Sequence, residues 1–372
     1  MRIAHVANFY GPRSGGLRTT MHHLGKGYRE RGHDVLLVVP GPADLNEETP
    51  YGRRITIRSP RLPMSGGYRV IVRTRRVRAI LEQWRTDRLE VSDRTTLRGL
   101  GRWASRRDVP AVFFSHERAD GVLRAIVPRW LRVVVSVRAL ADAHNRGTAR
   151  RFETIVCTTA YAAEEFDRIG RATTRVALGV DLDAFAPERL NPAARARYCA
   201  PEEVLLVMAS RLSREKRPTV AIEAVGHLVA AGRAVRLVCA GSGPIAADVE
   251  RAADGLPVSF LGFVPDRAEF ATLLACADAV IAPGPIETFG LAALEALASG
   301  TPVVVHAASA LPEVVGDAGV AVDGTAEGFA RGVEEVLSRH PRQRRLAARA
   351  RAECFPWDDT IDSLLQHRGA SV

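Results

Sequence analysis

Two carboxylates, Glu287 and Glu295, stand eight residues apart in the segment GPIETFGLAALEALASGTPVV. On one continuous helix that spacing separates them by about 12 Å along the axis. The carboxyl pairs of glycoside hydrolases sit about 5–9.5 Å apart, so a hydrolytic pair is disfavoured. The alternative puts Glu287 in a loop and starts a helix near Phe289 or Gly290. The backbone N–H groups of Thr288, Phe289, Gly290 and Leu291 then lie beside Glu287, where the helix dipole favours anionic oxygens. Glu295, one to two turns into the helix, reaches a different part of an elongated ligand. One carboxylate suits sugar hydroxyls, the other a diol such as ribose, with phosphates between them. That pattern describes a nucleotide sugar. Two incidental surface glutamates would give the same letters.

Other residues could join this chemistry. ASRLSREKRP follows the apolar run VLLVM, and its Arg211 and Lys216 can converge on one anion. A guanidinium plus an ammonium suits a diphosphate, although a solvated basic loop reads the same way. Lys216 is one of only two lysines in an arginine-rich chain. Gly15 and Gly16 separate an apolar strand from a helix, so they either let the backbone approach a phosphate at the helix N-terminus or form an ordinary tight turn. His116 ends the strand AVFFSHE and either donates a hydrogen bond into a cleft or is a satisfied structural residue. Gly241, Gly243 and Ala246 in AGSGPIAAD meet the loose G-x-G-x-x-A dinucleotide pattern. The acidic residue expected about 20 positions later does not end the next strand, because VSFLG closes on Gly262 and Asp266 lies beyond it. An NAD-dependent oxidoreductase is kept as an alternative on that pattern.

The elements that must position these residues alternate. RIAHVAN, a glycine loop, the helical LRTTMHHLGKGYRERGH and the apolar DVLLVVPG make one βαβ unit. RVIVRTRRVRAILEQW predicts a basic amphipathic helix over 68–84. LEVSD, PAVFFSH, RVVVSV and ETIVCTT predict short strands. Turn residues and prolines in LGVDLDAFAPERLNP mark a linker, after which strands and helices alternate again. The class is α/β, with two doubly wound Rossmann-like domains whose ligands bind at the carboxyl ends of the strands, in a central cleft. A chain of 372 residues accommodates two such cores. No apolar run approaches the roughly 18 residues of a membrane span, and the N-terminus does not read as a signal peptide, so a cytoplasmic location is expected. Five scattered cysteines suggest neither a disulfide framework nor a zinc site, and no metal or cofactor is expected. The net charge of +10 favours anionic ligands. Nucleic acid is disfavoured, because no recognition motif and only 6% aromatic residues accompany the charge.

The run from Glu287 to Val304 resembles the E-x7-E motif of retaining glycosyltransferase family four, which has the GT-B fold. Gly15-Gly16, His116, GVDLDAF at 179–185, SRLSREK at 210–216, GSGP at 241–244 and LPEVV at 311–315 match the family in order. The resemblance spans nearly the whole chain. It implies an acceptor-side domain over 1–185, a nucleotide-sugar domain over 186–356 and a C-terminal helix over 357–372 that crosses back. It also implies roles. Gly15 and Gly16 would approach the donor diphosphate, and Arg211 and Lys216 would stabilise the leaving nucleotide. Glu287 and His116 would contact the transferred sugar. Thr288, Phe289, Gly290 and Leu291 would hold sugar and phosphate through the backbone, and Glu295 would bind the ribose. Metal-independent transfer of a hexose with retention of configuration is implied. The N-terminal stretch is similar to bacterial GDP-mannose-dependent α-mannosyltransferases, with a UDP-sugar donor (glucose or N-acetylglucosamine) as the alternative. The acceptor is a lipid, glycan or small-molecule hydroxyl. The helix over 68–84, with Arg69, Arg73, Arg75, Arg76 and Arg78, either docks on an anionic membrane surface or is a solvated face. A catalytically silent sugar-nucleotide-binding subunit is the remaining alternative, and the intact set Arg211, Lys216, Glu287 and Glu295 argues against it.

Overall fold

The computed structural model describes residues 1–11, 15–62, 67–127 and 135–366. The chain forms two compact units. One comprises Met1–Leu178 with the C-terminal segment from Trp357, and the other Gly179–Pro356.

The first unit is built on an eight-stranded sheet of β1 (Arg2–Ala7), β2 (Asp34–Gly41), β3 (Leu45–Thr49), β4 (Gly52–Arg58), β5 (Arg88–Ser92), β6 (Ala111–Ser115), β7 (Thr154–Cys157) and β8 (Thr174–Arg175). The order is β3-β4-β2-β1-β5-β6-β7-β8. Every pairing is parallel except β3 with β4. Strand order reverses between β1 and β5, so the loops after those two strands part there and open a crevice. The β3–β4 hairpin is not apparent from the sequence: β3 is the polar LNEET, an edge strand with one neighbour. Such a strand needs no apolar face, and charge protects its open edge.

Helices cover both faces of this sheet. One face packs Ile3, Val35, Leu37, Val112 and Phe114 against Met21, Leu24 and Tyr28 of the helix Gly16–Glu30 and Ile361 and Leu364 of the helix Trp357–Gln366. Gly27 sits where these two helices meet, and a Cβ there would collide with Ile361. The contact is sealed at its rim by Arg31, which bonds Asp358 at 2.9 Å and Asp362 at 2.6 Å. The other face packs Val77 and Leu81 of the helix Thr74–Trp84 onto Ala4, Val38 and Val91.

That helix is shorter than the expected 68–84. Arg69 instead pairs with Arg61 in an isolated antiparallel bridge, and Phe9 N–H bonds the Arg69 carbonyl at 3.3 Å. The first half of the expected strand over 132–137 falls outside the described residues. Its last residue, Val137, begins the helix Val137–Ala149, capped by Ser136 Oγ accepting from Ala139 N–H at 3.2 Å.

The second unit holds a fully parallel sheet of β9 (Val204–Ala209), β10 (Val235–Ala240), β11 (Val258–Gly262), β12 (Ala279–Ala282), β13 (Val303–His306) and β14 (Val320–Val322). Its order is β11-β10-β9-β12-β13-β14. The strands are mostly apolar, as sheets covered on both faces require, with Arg236 in β10, Ser259 in β11 and His306 in β13 as exceptions. Here the reversal lies between β9 and β12. The loop after β9 carries Arg211 and Lys216, and the loop after β12 carries Glu287, so the topology alone brings the two charged segments to one crevice.

Candidate active site

Lys216 closes a short 3₁₀ turn, Arg214–Lys216, directly before the helix Pro218–Ala230. Pro218 at the first helical position needs no N–H partner. Arg217 before it adopts a left-handed conformation, φ 50°, which turns the chain sharply into the helix. Lys216 Nζ is thereby aimed across the crevice and forms an ion pair with a carboxylate oxygen of Glu287. Both side chains keep about a quarter of their surface exposed. The two loops pass close at Gly284, where a Cβ would be in ordinary contact, 3.5 Å from Lys216 Cα and 3.4 Å from the Glu215 carbonyl. On the far side, Ala310 N–H bonds the Glu287 carbonyl at 2.9 Å and fixes the loop. A small pocket opens here, lined by Ser210, Lys216, Gly284, Glu287, Gly290 and Leu311 among others.

The helix after Glu287 runs Leu291–Ala298 and starts one residue beyond Gly290. Gly290 is its N-terminal cap at φ 85°, and a Cβ there would strike Leu311. Only glycine satisfies both the backbone and the packing. No side chain caps this helix start. The amides of Ala293 and Leu294 already bond the Gly290 carbonyl at 3.0 and 3.2 Å, so the earlier first-turn amides and the dipole present the positive potential beside Glu287. Phe289 is buried with its ring edge-on to Phe355 at 6.1 Å, so it anchors the turn and offers only its backbone.

Glu295 is buried within this helix and bonds Arg267 Nη1 at 3.0 Å. Burial raises its carboxyl, and the Arg267 guanidinium opposes that rise. Arg267 in turn lies over the Phe185 ring, 4.6 Å from its centroid. The structure therefore brings Lys216 to Glu287, while Arg211 and Glu295 stay outside that pocket's lining. The loop carrying Arg211 leans on the segment after β10: Leu212 N–H bonds the Ser242 carbonyl at 3.3 Å and Ile245 N–H the Leu212 carbonyl at 3.2 Å. Cβ atoms on Gly241 and Gly243 would meet the backbone of Ser210 and Leu212. These glycines admit another loop of the same chain rather than a pyrophosphate. The dinucleotide reading of AGSGPIAAD therefore loses its support.

In the first unit, Gly15 caps the helix Gly16–Glu30 with φ −72°. Among the described residues a Cβ on Gly15 would meet nothing within 4 Å. His116 follows β6, half-buried, with its ring stacked on Phe114 at 5.7 Å. Its Nε2 lies 2.8 Å from Ser92 Oγ, and burial lowers its pKa to about 3. Ser92 Oγ is also 2.7 Å from Nε2 of His5. The sequence reading missed His5, Glu90 and Ser92. The available signal was a polar residue at alternate positions in strands otherwise fit for burial.

A model of the glycosyl transferase 4-like domain matches residues 15–211, and one of glycosyl transferases group 1 matches 194–353. The chain is 48% identical to a GDP-mannose-dependent alpha-(1-6)-phosphatidylinositol dimannoside mannosyltransferase of Mycobacterium tuberculosis, over all of this chain and 96% of that one. It is 36% identical to a D-inositol 3-phosphate glycosyltransferase of Mycolicibacterium smegmatis over half of this chain and 45% of that one. Among solved structures, sucrose-phosphate synthase from Thermosynechococcus elongatus superposes with a TM-score of 0.78 at 20% identity, over 98% of this chain and 97% of that one. WaaG, a glycosyltransferase involved in lipopolysaccharide biosynthesis, gives 0.73 at 19% identity, over 97% and 98%.

Proposed function

The chain belongs to glycosyltransferase family four and has the GT-B fold, and from that premise we propose that it transfers mannose from GDP-mannose to a hydroxyl of a phosphatidylinositol mannoside, with retention of configuration. The observation that carries this reading is the 48% identity along the full chain to an enzyme named for that donor and acceptor. The Lys216–Glu287 pair at the β9/β12 crevice supports the reaction class.

In this mechanism the bond from the sugar's anomeric carbon to the β-phosphate oxygen breaks. Positive charge grows on the sugar and negative charge on the leaving diphosphate. Lys216, Arg211 and the N-terminus of the helix Leu291–Ala298 stabilise the latter. The acceptor oxygen bonds the anomeric carbon on the same face, and its proton passes to the departing phosphate oxygen, giving GDP. Glu287 holds sugar hydroxyls and keeps the Lys216 ammonium in place. Glu295 accepts from the ribose diol. Thr288, Phe289, Gly290 and Leu291 contribute their backbone. Gly15 and Gly16 offer amides to donor phosphate, and His116 bonds a sugar hydroxyl.

The test is a thermal shift of the protein with GDP, UDP, ADP and their hexose conjugates, since a ligand of the folded state raises its apparent stability. A selective rise with GDP and GDP-mannose is expected, followed by mannosyl transfer to phosphatidylinositol dimannoside. A selective UDP response would overturn the donor.

A lipid acceptor calls for contact with a membrane surface. Among the described residues no helix is long and apolar enough to cross a membrane. The helix Thr74–Trp84 exposes Arg75, Arg76 and Arg78, while its Val77 and Leu81 are buried in the core. The apolar stripe is thus already covered, and docking on an anionic surface would be electrostatic. Sedimentation with phosphatidylglycerol vesicles is expected at low salt and is abolished at high salt, because such contacts are screened. Equal recovery with neutral vesicles would count against it.

A further inference from the structure

Arginines elsewhere in the first unit find carboxylates: Arg54 bonds Glu47 at 2.9 Å, Arg76 bonds Asp44 at 2.7 Å and Arg118 bonds Asp120 at 2.9 Å. One concavity, about 380 Å³ in volume, departs from this pattern. Five arginines, Arg78, Arg102, Arg106, Arg107 and Arg151, line it with a single carboxylate, Glu82. Arg78 and Glu82 come from the helix Thr74–Trp84, and Arg102 from the helix Leu100–Ser105, which Arg106 and Arg107 directly follow. Arg151 follows the helix Val137–Ala149. These three helices lead into the starts of β5, β6 and β7, so the concavity lies toward the strand edge opposite the one that carries His116. Its frame is fixed. Trp103, also in its lining, is buried, and Gly101 rests on the Arg151 carbonyl with no room for a Cβ.

The charges in this concavity are not balanced from within. Glu82 Oε1 accepts from Trp103 Nε1 at 3.1 Å and also from Arg107, whose guanidinium lies over the Trp103 ring. Arg151 donates to the Gly147 carbonyl. Among the described residues, Arg78, Arg102 and Arg106 meet neither a carboxylate nor a carbonyl. Further positive charge stands close: a Cβ on Gly147 would meet Arg151 Nη1 at 3.2 Å and Arg98 Nη1 at 3.4 Å. Burial lowers the Arg98 pKa, and Arg151, Arg94 and Arg102 push it the same way. Burial likewise lowers that of Arg151, with Arg102 and Arg150 adding to the shift. Guanidinium groups stay charged nonetheless, so they repel one another and the cluster gains by taking negative charge from outside.

We propose that this concavity is a second anion site, which takes a compact solute carrying two or more phosphoryl charges. Guanidinium forks from two helices match phosphoryl oxygens in pairs. The ligand is a soluble one rather than a lipid surface, because no lining residue is an exposed apolar side chain that could enter a bilayer. The site is built from first-unit residues alone and shares none with the Lys216–Glu287 pocket. It therefore does not depend on which sugar nucleotide the enzyme uses.

Calorimetric titration with inorganic tripolyphosphate tests this, in a Lys216→Ala background so that the donor crevice contributes little. That protein should bind the anion. Adding Arg102→Gln and Arg106→Gln should weaken binding by about tenfold or more, the equivalent of one hydrogen bond between charged groups. Arg78→Gln, on the other helix, should weaken the same isotherm. Arg138→Gln with Arg342→Gln removes equal charge from exposed positions outside the concavity and should leave it unchanged. Relief of repulsion supplies a readout that a merely structural role would not give. Without anion, Arg102→Gln/Arg106→Gln should melt no lower than its parent, whereas tripolyphosphate should raise the melting temperature of the parent more than that of the variant. Absence of binding in Lys216→Ala overturns the proposal. So does undiminished binding in Arg102→Gln/Arg106→Gln or, should that variant not fold, in Arg78→Gln. An equal loss in Arg138→Gln/Arg342→Gln would reduce the effect to net charge and overturn it as well. If the protein ignores tripolyphosphate but sediments with phosphatidylinositol vesicles, and Arg102→Gln/Arg106→Gln abolishes that, the arginines serve a lipid surface and the proposal falls.

Discussion

Lys216→Ala loses turnover by about 10² to 10³ in kcat, the scale seen when one donor is removed from a developing oxyanion. Lys216 is the cation in the pocket beside Glu287, and departure of the nucleotide concentrates negative charge on a diphosphate. The neighbouring helix start, Leu291–Ala298, supplies partial charge only, about half an elementary charge at most. It cannot replace an ammonium. The fold should tolerate the change, because Lys216 is partly exposed and sits in a short turn between β9 and the following helix. Its loss leaves Glu287 unpaired but still in reach of water. The circular dichroism and melting temperature should therefore stay close to the parent, while the thermal shift with GDP shrinks. Lys216→Arg should recover little, since a wide planar fork does not place its charge where the compact ammonium pairs with Glu287. A catalytically silent binding subunit would show the same loss of nucleotide response without any turnover to lose. Parental turnover in Lys216→Ala would remove this residue from the mechanism.

How much of this site could be read beforehand depends on what kind of information each part needed. The Glu287–Glu295 segment was legible because its chemistry is local: a loop carboxylate, a glycine turn and an apolar helix follow one another in sequence. The helix begins at Leu291, within two residues of the expected start. Arg211 and Lys216 were legible as a loop after a strand. Their pairing with Glu287 was not, because it depends on β12 lying beside β9, more than 70 residues apart in sequence. The same holds for His5, Glu90 and Ser92. Each looks like an isolated polar residue within an apolar strand until parallel register sets them side by side. The expected helix over 68–84 is too long because Val70 keeps helical spacing with Val77 and Leu81. Bridge pairing of Arg69 with Arg61, a tertiary contact, wins over that local pattern.

The glycines after β10 offer a sharper check on what positions the Ser210–Lys216 loop. A Cβ on Gly243 would lie 2.6 Å from the Leu212 carbonyl carbon and 2.8 Å from its nitrogen, closer than real Cβ atoms come. Backbone cannot rotate away as a side chain would, so Gly243→Ala must push the Ser210–Lys216 loop off its seat. Overpacking of this kind costs about 1–3 kcal/mol. The hydrogen bonds from Leu212 to Ser242 and from Ile245 to Leu212 would stretch with it. Lys216 lies four residues beyond Leu212, so the displacement should reach its ammonium and separate it from Glu287. The expected result is a lowered melting temperature together with a raised KM for the donor. Gly226→Ala is the matched control: that glycine lies inside the helix Pro218–Ala230, and a Cβ on it would meet nothing nearer than Leu256 at 3.9 Å. Alanine there should stabilise by about 0.5–1 kcal/mol and leave KM unchanged. If Gly243→Ala instead behaved like Gly226→Ala, the loop would not owe its position to that contact. The origin of Lys216 placement would then have to be sought in the left-handed turn at Arg217.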